Sequence, residues 1–390
     1  MIIEKIKARI IINSRGEKAI EIEVNNAYAS APSGASKGKN EVVAFPKEVE
    51  DVVKDFNSVK DKFLGLKIES FEDLDQVEEV FFSLGGFERF GGNTLVALEF
   101  AILKALAKHY RLPLFKVLNP EVKEVVPRPL GNVIGGGAHA LWRGPDFQEF
   151  LILPKTKTVR EAVFLNAKIH RELGQILKER DKGFLGAKND EGAWVTTLKI
   201  EEILEILSEI KEKYNVKIGV DVAASQLYKN GKYILRKENK EFSREEWIEY
   251  IKELIETYGL YYIEDPLYEE DFEGFAEVNK TKALVVGDDL TVTNIKRVMK
   301  AYEKRSVKGV IIKVNQIGSV LKAYEVVEFC KKKGLVPIVS HRSGETEDNT
   351  IAHLAVAWEV PIIKTGVVQG ERIAKLNELI RIEEWLEEYS

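Results

Sequence analysis

Three short apolar runs each end in an acid: VKIGVD in Asp221, YYIE in Glu264 and ALVVGD in Asp288. Two further runs, GVIIK and VPIIK, end in Lys313 and Lys364, and LVPIVS runs into Ser340, His341, Arg342 and Ser343. A single aspartate after a strand is ordinarily a turn or helix-cap residue. Three acids in successive units, followed by lysines in the next ones, point to more than capping. Three converging carboxylates offer hard oxygen ligands, suited to Mg²⁺, which keeps its remaining positions for water or substrate oxygens. Without a cation they would repel one another. A lysine beside a metal and other cations has its pKa lowered and can act as a base. The plain alternative for Lys313 is a snorkelling side chain paired with a neighbouring acid.

The elements that must position these groups follow from the spacing. From Asp221 to Glu264, Asp288, Lys313, His341 and Lys364 the steps are 43, 24, 25, 28 and 23 residues. The four shorter steps fit one strand plus one helix, as in βαβ units, and apolar β-branched runs are those of buried parallel strands. In a β/α barrel the carboxyl ends of the strands share one face, so these side chains would meet in one mouth. Upstream, EFLILP is a further strand with Gln148 and Glu149 just before its apolar part, and VREAVFLNAKIHRELGQILKER is an amphipathic helix. Near the start, IEKIKARIIINSRG and the alternating AIEIEV predict a hairpin or meander, with Glu21 on the polar face. The Gly- and Ser-rich YASAPSGASKGKNE comes next, and helical patterns run to Lys116. Prolines 120, 127 and 129 interrupt the pattern. The expectation is an α/β chain with a smaller α+β domain at 1–123 and a barrel domain at 124–390.

The totals bound the function. The chain has 390 residues, 31% charged, with a net charge of −5, which does not suggest a nucleic-acid or acidic-membrane surface. No apolar run approaches the roughly 18 residues of a membrane span. MIIEKIKARI lacks a signal-peptide layout, so a cytoplasmic setting is expected. The one cysteine, Cys330, excludes an internal disulfide framework and reads as an inert helix residue.

The strings SGAS, DEG, DVAAS, IEDP, GDDLTVTN, KVNQIGS, SHRSGETED, IKTG and ERIAKLN occur in this order. In that series the chain resembles the enolase (phosphopyruvate hydratase) family from near residue 13 to near residue 381. The resemblance implies an α+β N-terminal domain, a modified β/α (TIM-type) barrel, and Mg²⁺-dependent dehydration of 2-phosphoglycerate in glycolysis and gluconeogenesis. Asp221, Glu264 and Asp288 would hold the first Mg²⁺ at the substrate carboxylate. Lys313 would remove the α proton while Lys364 helps to stabilise the dianion. Glu191 in DEG would protonate the leaving hydroxyl, with Glu149 as its partner. Arg342 and Ser343 would hold the phosphate, beside Gln148 and Ser340. His139 in GGGAHA and His341 match site histidines, and Ser36 would join a second, substrate-assisted Mg²⁺ as the Gly-rich loop closes. A homodimer or larger homo-oligomer is implied too, with Glu21 meeting Arg381 of the second copy.

The departures from the family pattern fall on lids and surroundings. GGGAHALWRG is one residue longer than usual and carries Trp142 and Arg143; Lys37 follows SGAS; Asn189, Ala193, Gln226 and His353 replace the usual residues of their motifs. Two alternatives therefore stay open: a relative acting on another hydroxy or phosphorylated acid, and a non-catalytic binding protein.

Overall fold

The computed structural model describes residues 1–34, 38–124 and 127–389. Three antiparallel strands open the chain: β1 (Ile6–Ile12), β2 (Lys18–Val24) and β3 (Ala27–Ser30). Ile10 pairs with Ile20, and Glu21 with Ser30, so β2 lies between the other two. The meander is as expected, but the solvent-facing Glu21 is not. Helix Gly92–Tyr110 packs against β2 and β3 on one side, while Arg9 from β1 covers the other. Glu21 is therefore buried, with its Oε1 2.6 Å from Arg9 Nη1. The alternation of AIEIEV separates the two faces of the strand correctly, but it carries no information about what covers the second face.

The remaining main strands close a barrel in the order β10-β11-β12-β13-β14-β4-β5-β6. They are β4 (Arg128–Gly135), β5 (Glu149–Pro154), β6 (Val216–Asp221), β10 (Tyr262–Glu264), β11 (Leu284–Gly287), β12 (Gly309–Ile312), β13 (Val336–Ser340) and β14 (Ile362–Lys364). Between β6 and β10 lies a small antiparallel meander of β7 (Tyr228–Lys229), β8 (Lys232–Leu235) and β9 (Lys240–Phe242), ahead of helix Arg244–Tyr258. That meander accounts for the long first step in the spacing.

Seven barrel strands run parallel and β5 runs against both its neighbours. This reversal matters for the mouth. A parallel strand delivers its last residue to the carboxyl face, whereas β5 delivers its first, which is Glu149. In register, Glu149 stands opposite Asp221, and Asp221 opposite Glu264. The barrel interior is filled by Leu130, Leu151, Leu153, Tyr262, Leu284, Val286, Ile311, Ile338 and Ile362, so it is a packed core with chemistry only at its rim. Cys330 is buried and its thiol is pushed up to about 12 by desolvation, in keeping with an inert role. Among the described residues no helix is long and apolar enough to cross a membrane.

Candidate active site

At the carboxyl face a small cavity is lined by Gly34, His139, Gln148, Glu149, Glu191, Asp221, Lys313, Ser340, His341, Arg342, Ser343 and Lys364. Of the fourteen residues expected at the site, eleven line this one cavity. Glu264 and Asp288 lie beside it, bonded to Lys364 and Lys313, and Ser36, with its neighbour Lys37, lies outside the described residues.

The carboxylates of adjacent strand ends are held by ammonium groups. Lys364 Nζ donates to Asp221 Oδ2 at 3.0 Å and to Glu264 at 2.8 and 3.0 Å, and it lies 3.2 Å from Glu149 Oε2. Burial opposes the charge on Lys364, yet Asp221, Glu149 and Glu264 hold its pKa well above the ordinary lysine range. Glu264 is fully buried, and desolvation together with Asp221 pushes its carboxyl up to about 8 in spite of Lys364. Negative charge is thus undercompensated where the strand ends converge. The donors are hard oxygens on neighbouring strands, so the residues present fit a divalent cation. Among the described residues, the sets whose ligand atoms all lie within 4.8 Å of one another are His139, Glu149 and Glu191, and Asp265, Asp288 and Asp289; the expected triad of Asp221, Glu264 and Asp288 is not one of them. Asp288 is common to the second set and to the expected triad.

Lys313 is paired with Asp288. The sequence expectation is a pKa lowered beside Mg²⁺ and other cations. Burial, Arg342 and Lys364 do push that way, but Asp288 accepts a hydrogen bond from Nζ and holds Lys313 above its ordinary value. The loop after β11 fixes this pair. Val292 and Thr293 adopt φ of 43° and 52°, sterically costly for β-branched residues and of the kind that clusters at functional sites. Thr293 Oγ1 accepts from the Lys313 backbone N–H at 2.9 Å and donates to Gln316 Oε1 at 2.8 Å. Gln316 in turn donates to Asp288 Oδ1 at 2.9 Å.

Across the cavity stand Glu149 and Glu191, with ligand atoms within 4.8 Å of each other. Desolvation and the charge of Glu191 hold Glu149 well above the carboxylate range. Burial would raise Glu191 likewise, but His341, His139, Arg372 and Lys364 hold it well below. His341 cannot contribute as a full charge, because burial and Arg372 keep its imidazole neutral; His139, Arg372 and Lys364 are the causes that remain. The two carboxyls are thus shifted in opposite directions, Glu149 toward its protonated form and Glu191 toward its charged one. Asn132 Nδ2 donates to Glu191 Oε2 at 3.0 Å, while His139 Nδ1 and His341 Nε2 lie 3.5 and 3.6 Å from Oε1. Asn189 presents Glu191 from below: its Oδ1 accepts from the backbone N–H groups of Glu191 and Ala193, both at 3.0 Å. The side chain needs space, and Gly135 supplies it, since a Cβ there would lie 2.1 Å from Asn189 Nδ2. Asn189 and Gly135 thus form a matched pair.

Arg342 is also engaged. Its guanidinium donates to Glu41 at 3.0 and 3.1 Å and to Asn315 Oδ1 at 3.0 Å. A carboxylate already sits on the group expected to bind an anion. Gln148 donates to Asp221 Oδ2 at 3.3 Å and accepts from Gln226 at 3.1 Å, so Gln226 supports the mouth directly. Trp142 and Arg143 turn away to a separate rim cleft, where Arg236 stacks on the Trp142 ring at 4.0 Å.

Asn132, Glu41, Thr293, Gln316 and Arg372 are contacts that spacing arguments did not find. Each is an ordinary residue of its strand, loop or helix pattern, and only the three-dimensional arrangement singles it out.

Fold and mouth together define the class, a β/α-barrel enzyme with acid–base groups gathered at the carboxyl face. Comparison with known proteins is more specific. The family model described as "Enolase, C-terminal TIM barrel domain" matches residues 123–390, and "Enolase, N-terminal domain" matches residues 3–118. Among curated relatives, the "Enolase" of Methanosphaera stadtmanae is 44% identical, over 99% of this chain and 97% of the relative. That of Archaeoglobus fulgidus is 43% identical over 99% and 98%, and that of Methanothermobacter thermautotrophicus 42% over 98% and 96%. The chain belongs to the enolase family.

Proposed function

We propose that this protein dehydrates 2-phosphoglycerate to phosphoenolpyruvate in glycolysis and gluconeogenesis, in the cytoplasm, with Mg²⁺. The observation that carries the reading is that two carboxyl groups, Glu149 and Glu191, and the lysines of neighbouring strand ends line a single small polar cavity beside Arg342. Asp221, Glu264 and Asp288 would hold the first Mg²⁺, and Ser36 would take part in a second that arrives with the substrate. The cation would supply positive charge for the substrate carboxylate as it becomes a dianion, and would relieve Asp288 of its pairing with Lys313.

The rest belongs to the chain's own groups. Lys313 takes the proton alpha to the carboxylate, and Lys364, deep among the acids, adds fixed positive charge where the dianion develops. On the opposite wall Glu191 delivers the proton to the departing hydroxyl. That proton comes across the pair from Glu149, the member that burial keeps protonated. His139 and His341 flank Glu191 and keep bulk water from it. Arg342 and Ser343, beside Gln148 and Ser340, receive the phosphate end, the arginine by its planar fork.

The test mixes purified protein, Mg²⁺ and 2-phosphoglycerate and follows the enol phosphate by ultraviolet absorbance. Activity is expected to vanish with chelator and return with Mg²⁺. Lys313→Ala should abolish exchange of the α proton with solvent deuterium, whereas Glu191→Gln should block dehydration and leave exchange. Full activity in metal-free buffer, or identical exchange behaviour of the two variants, would sink the assignment.

A further inference from the structure

Arg372 belongs to helix Gly370–Tyr389 and is fully buried, yet it does not line the mouth cavity. Its Nη1 lies 2.9 Å from His341 Nδ1 and donates to the Arg342 carbonyl at 2.6 Å. Nη2 donates to the carbonyls of Ser343 at 2.7 Å and Asp190 at 3.3 Å. The stem is threaded tightly: a Cβ on Gly366 would come within 3.3 Å of its Cγ.

A guanidinium has only donors. His341 Nδ1 must therefore accept, and the proton of the neutral ring sits on Nε2. That nitrogen faces Glu191 Oε1 at 3.6 Å and has no hydrogen-bond partner among the described residues. A proton on Nδ1 would set two donors against each other at 2.9 Å inside a buried site. The same guanidinium ties the backbone just before Glu191 to the His341–Ser343 strip. Acid and anion-binding groups come from different loops, and one side chain sets their relative position.

We propose that Arg372 is a positioning residue for proton delivery, fixing His341 as the neutral Nε2–H tautomer facing Glu191 and clamping the Asp190–Glu191 backbone to the Arg342–Ser343 strip. The proposal rests on the reading of Glu191 as the acid. It predicts a divided effect: the dehydration half should fail while proton abstraction by Lys313 continues.

The experiment compares wild type, Arg372→Lys, Arg372→Met, His341→Gln and the Arg372→Lys/His341→Gln double variant. It reads dehydration of 2-phosphoglycerate, exchange of its α proton with deuterium, and Tm. Misplacement remote from the reacting atoms can cost about 10²-fold. Dehydration by Arg372→Lys is expected to fall by about that factor while exchange stays within a few-fold of wild type. The double variant should be no worse than the worse single one, because a residue acting through another is not additive with it. Nitrogen-15 spectra of histidine-labelled wild type, assigned with His341→Gln, should show a protonated Nε2 and a bare Nδ1. Arg372→Met should populate both tautomers.

Equal loss of exchange and dehydration with a lowered Tm would make Arg372 merely structural and overturn the proposal. So would unchanged kinetics, additive losses, or a wild-type His341 protonated on Nδ1. Should Arg372→Met fail to fold, Arg372→Lys and the wild-type spectrum still decide. Failure of the functional reading is distinct from these outcomes: wild type would then neither dehydrate nor exchange, while the nitrogen spectrum would still report the tautomer.

Discussion

Glu41 shows how a single residue can set the response of the mouth to its ligand. Its carboxylate, 7% exposed, accepts three hydrogen bonds from Arg342 at 3.0–3.1 Å and one from the Gly38 N–H at 3.0 Å. An incoming phosphate must replace these contacts to reach the arginine. Removing the charge while keeping the shape should favour the phosphate. Glu41→Gln is expected to bind inorganic phosphate about 5- to 10-fold more tightly, roughly 1–1.4 kcal/mol, by titration calorimetry. Unchanged or weaker binding would mean that Glu41 orients Arg342 and does not compete for it. The sequence showed the chemistry of Arg342 but not this partner, because Glu41 lies in a loop with no period and 301 residues away. Lys313 teaches the same lesson. Its place at a strand end was legible, but its protonation depends on where Asp288 spends its charge, which no spacing encodes.

Among the elements, the strands of the barrel were readable because buried parallel strands are short apolar runs ending in polar groups. The direction of β5 was not. A run such as FLILP reads alike both ways, so only the position of Glu149 at its beginning hinted that the strand enters from the mouth. The meander β7–β9 and the burial of Glu21 were missed for a related reason, since each is decided by what packs alongside. Ion pairs between elements are equally invisible, and one gives a pH test. Asp55 in helix Val49–Val59 accepts from Arg89 Nη2 at 2.6 Å and Nε at 3.1 Å, and from Lys47 at 2.7 Å. Arg89 foremost holds its carboxyl down to about 2. The side chain is 22% exposed. A shift of that size corresponds to roughly 2 kcal/mol without screening, and solvent reduces it to about 1. The sign is that of a depressed acid: stabilisation is complete above the unfolded value of 3.8 and is lost as pH falls through about 2. Wild type should therefore melt above Asp55→Asn by a constant margin from about pH 7 to 5, narrowing below about pH 4. A margin that persists unchanged to about pH 3 would place its origin outside the charge.

At the scale of the whole molecule the expected assembly is a homodimer. Within one chain Glu21 pairs with Arg9, and Arg381 with Glu378 at 2.7 Å, so a bridge between Glu21 and Arg381 of a second copy would compete with existing partners. Wild type, of 44.2 kDa per chain, is expected to sediment as a dimer at micromolar concentration. Glu21→Ala should raise the dissociation constant, and adding Arg381→Ala should recover part of the loss, because an unpaired buried charge costs more than an absent pair. Variants that sediment like wild type would leave both as pairs within one subunit. Closure of the barrel also has a consequence in time. The seam is the pairing of β14 with β4, Ile362 against Arg128, which joins segments far apart in the chain. Such pairings form late, because the entropy of closing a long loop must be lost before the contact returns anything. Lys364 lies on the seam itself, opposite Leu130, and it is the ammonium that holds Asp221 and Glu264 together. Until the seam zips, those acids face one another uncompensated and two strand edges stay open to other chains. The step that completes the sheet is thus also the step that neutralises the mouth, and a refolding chain gains its chemistry and its protection from aggregation at the same moment.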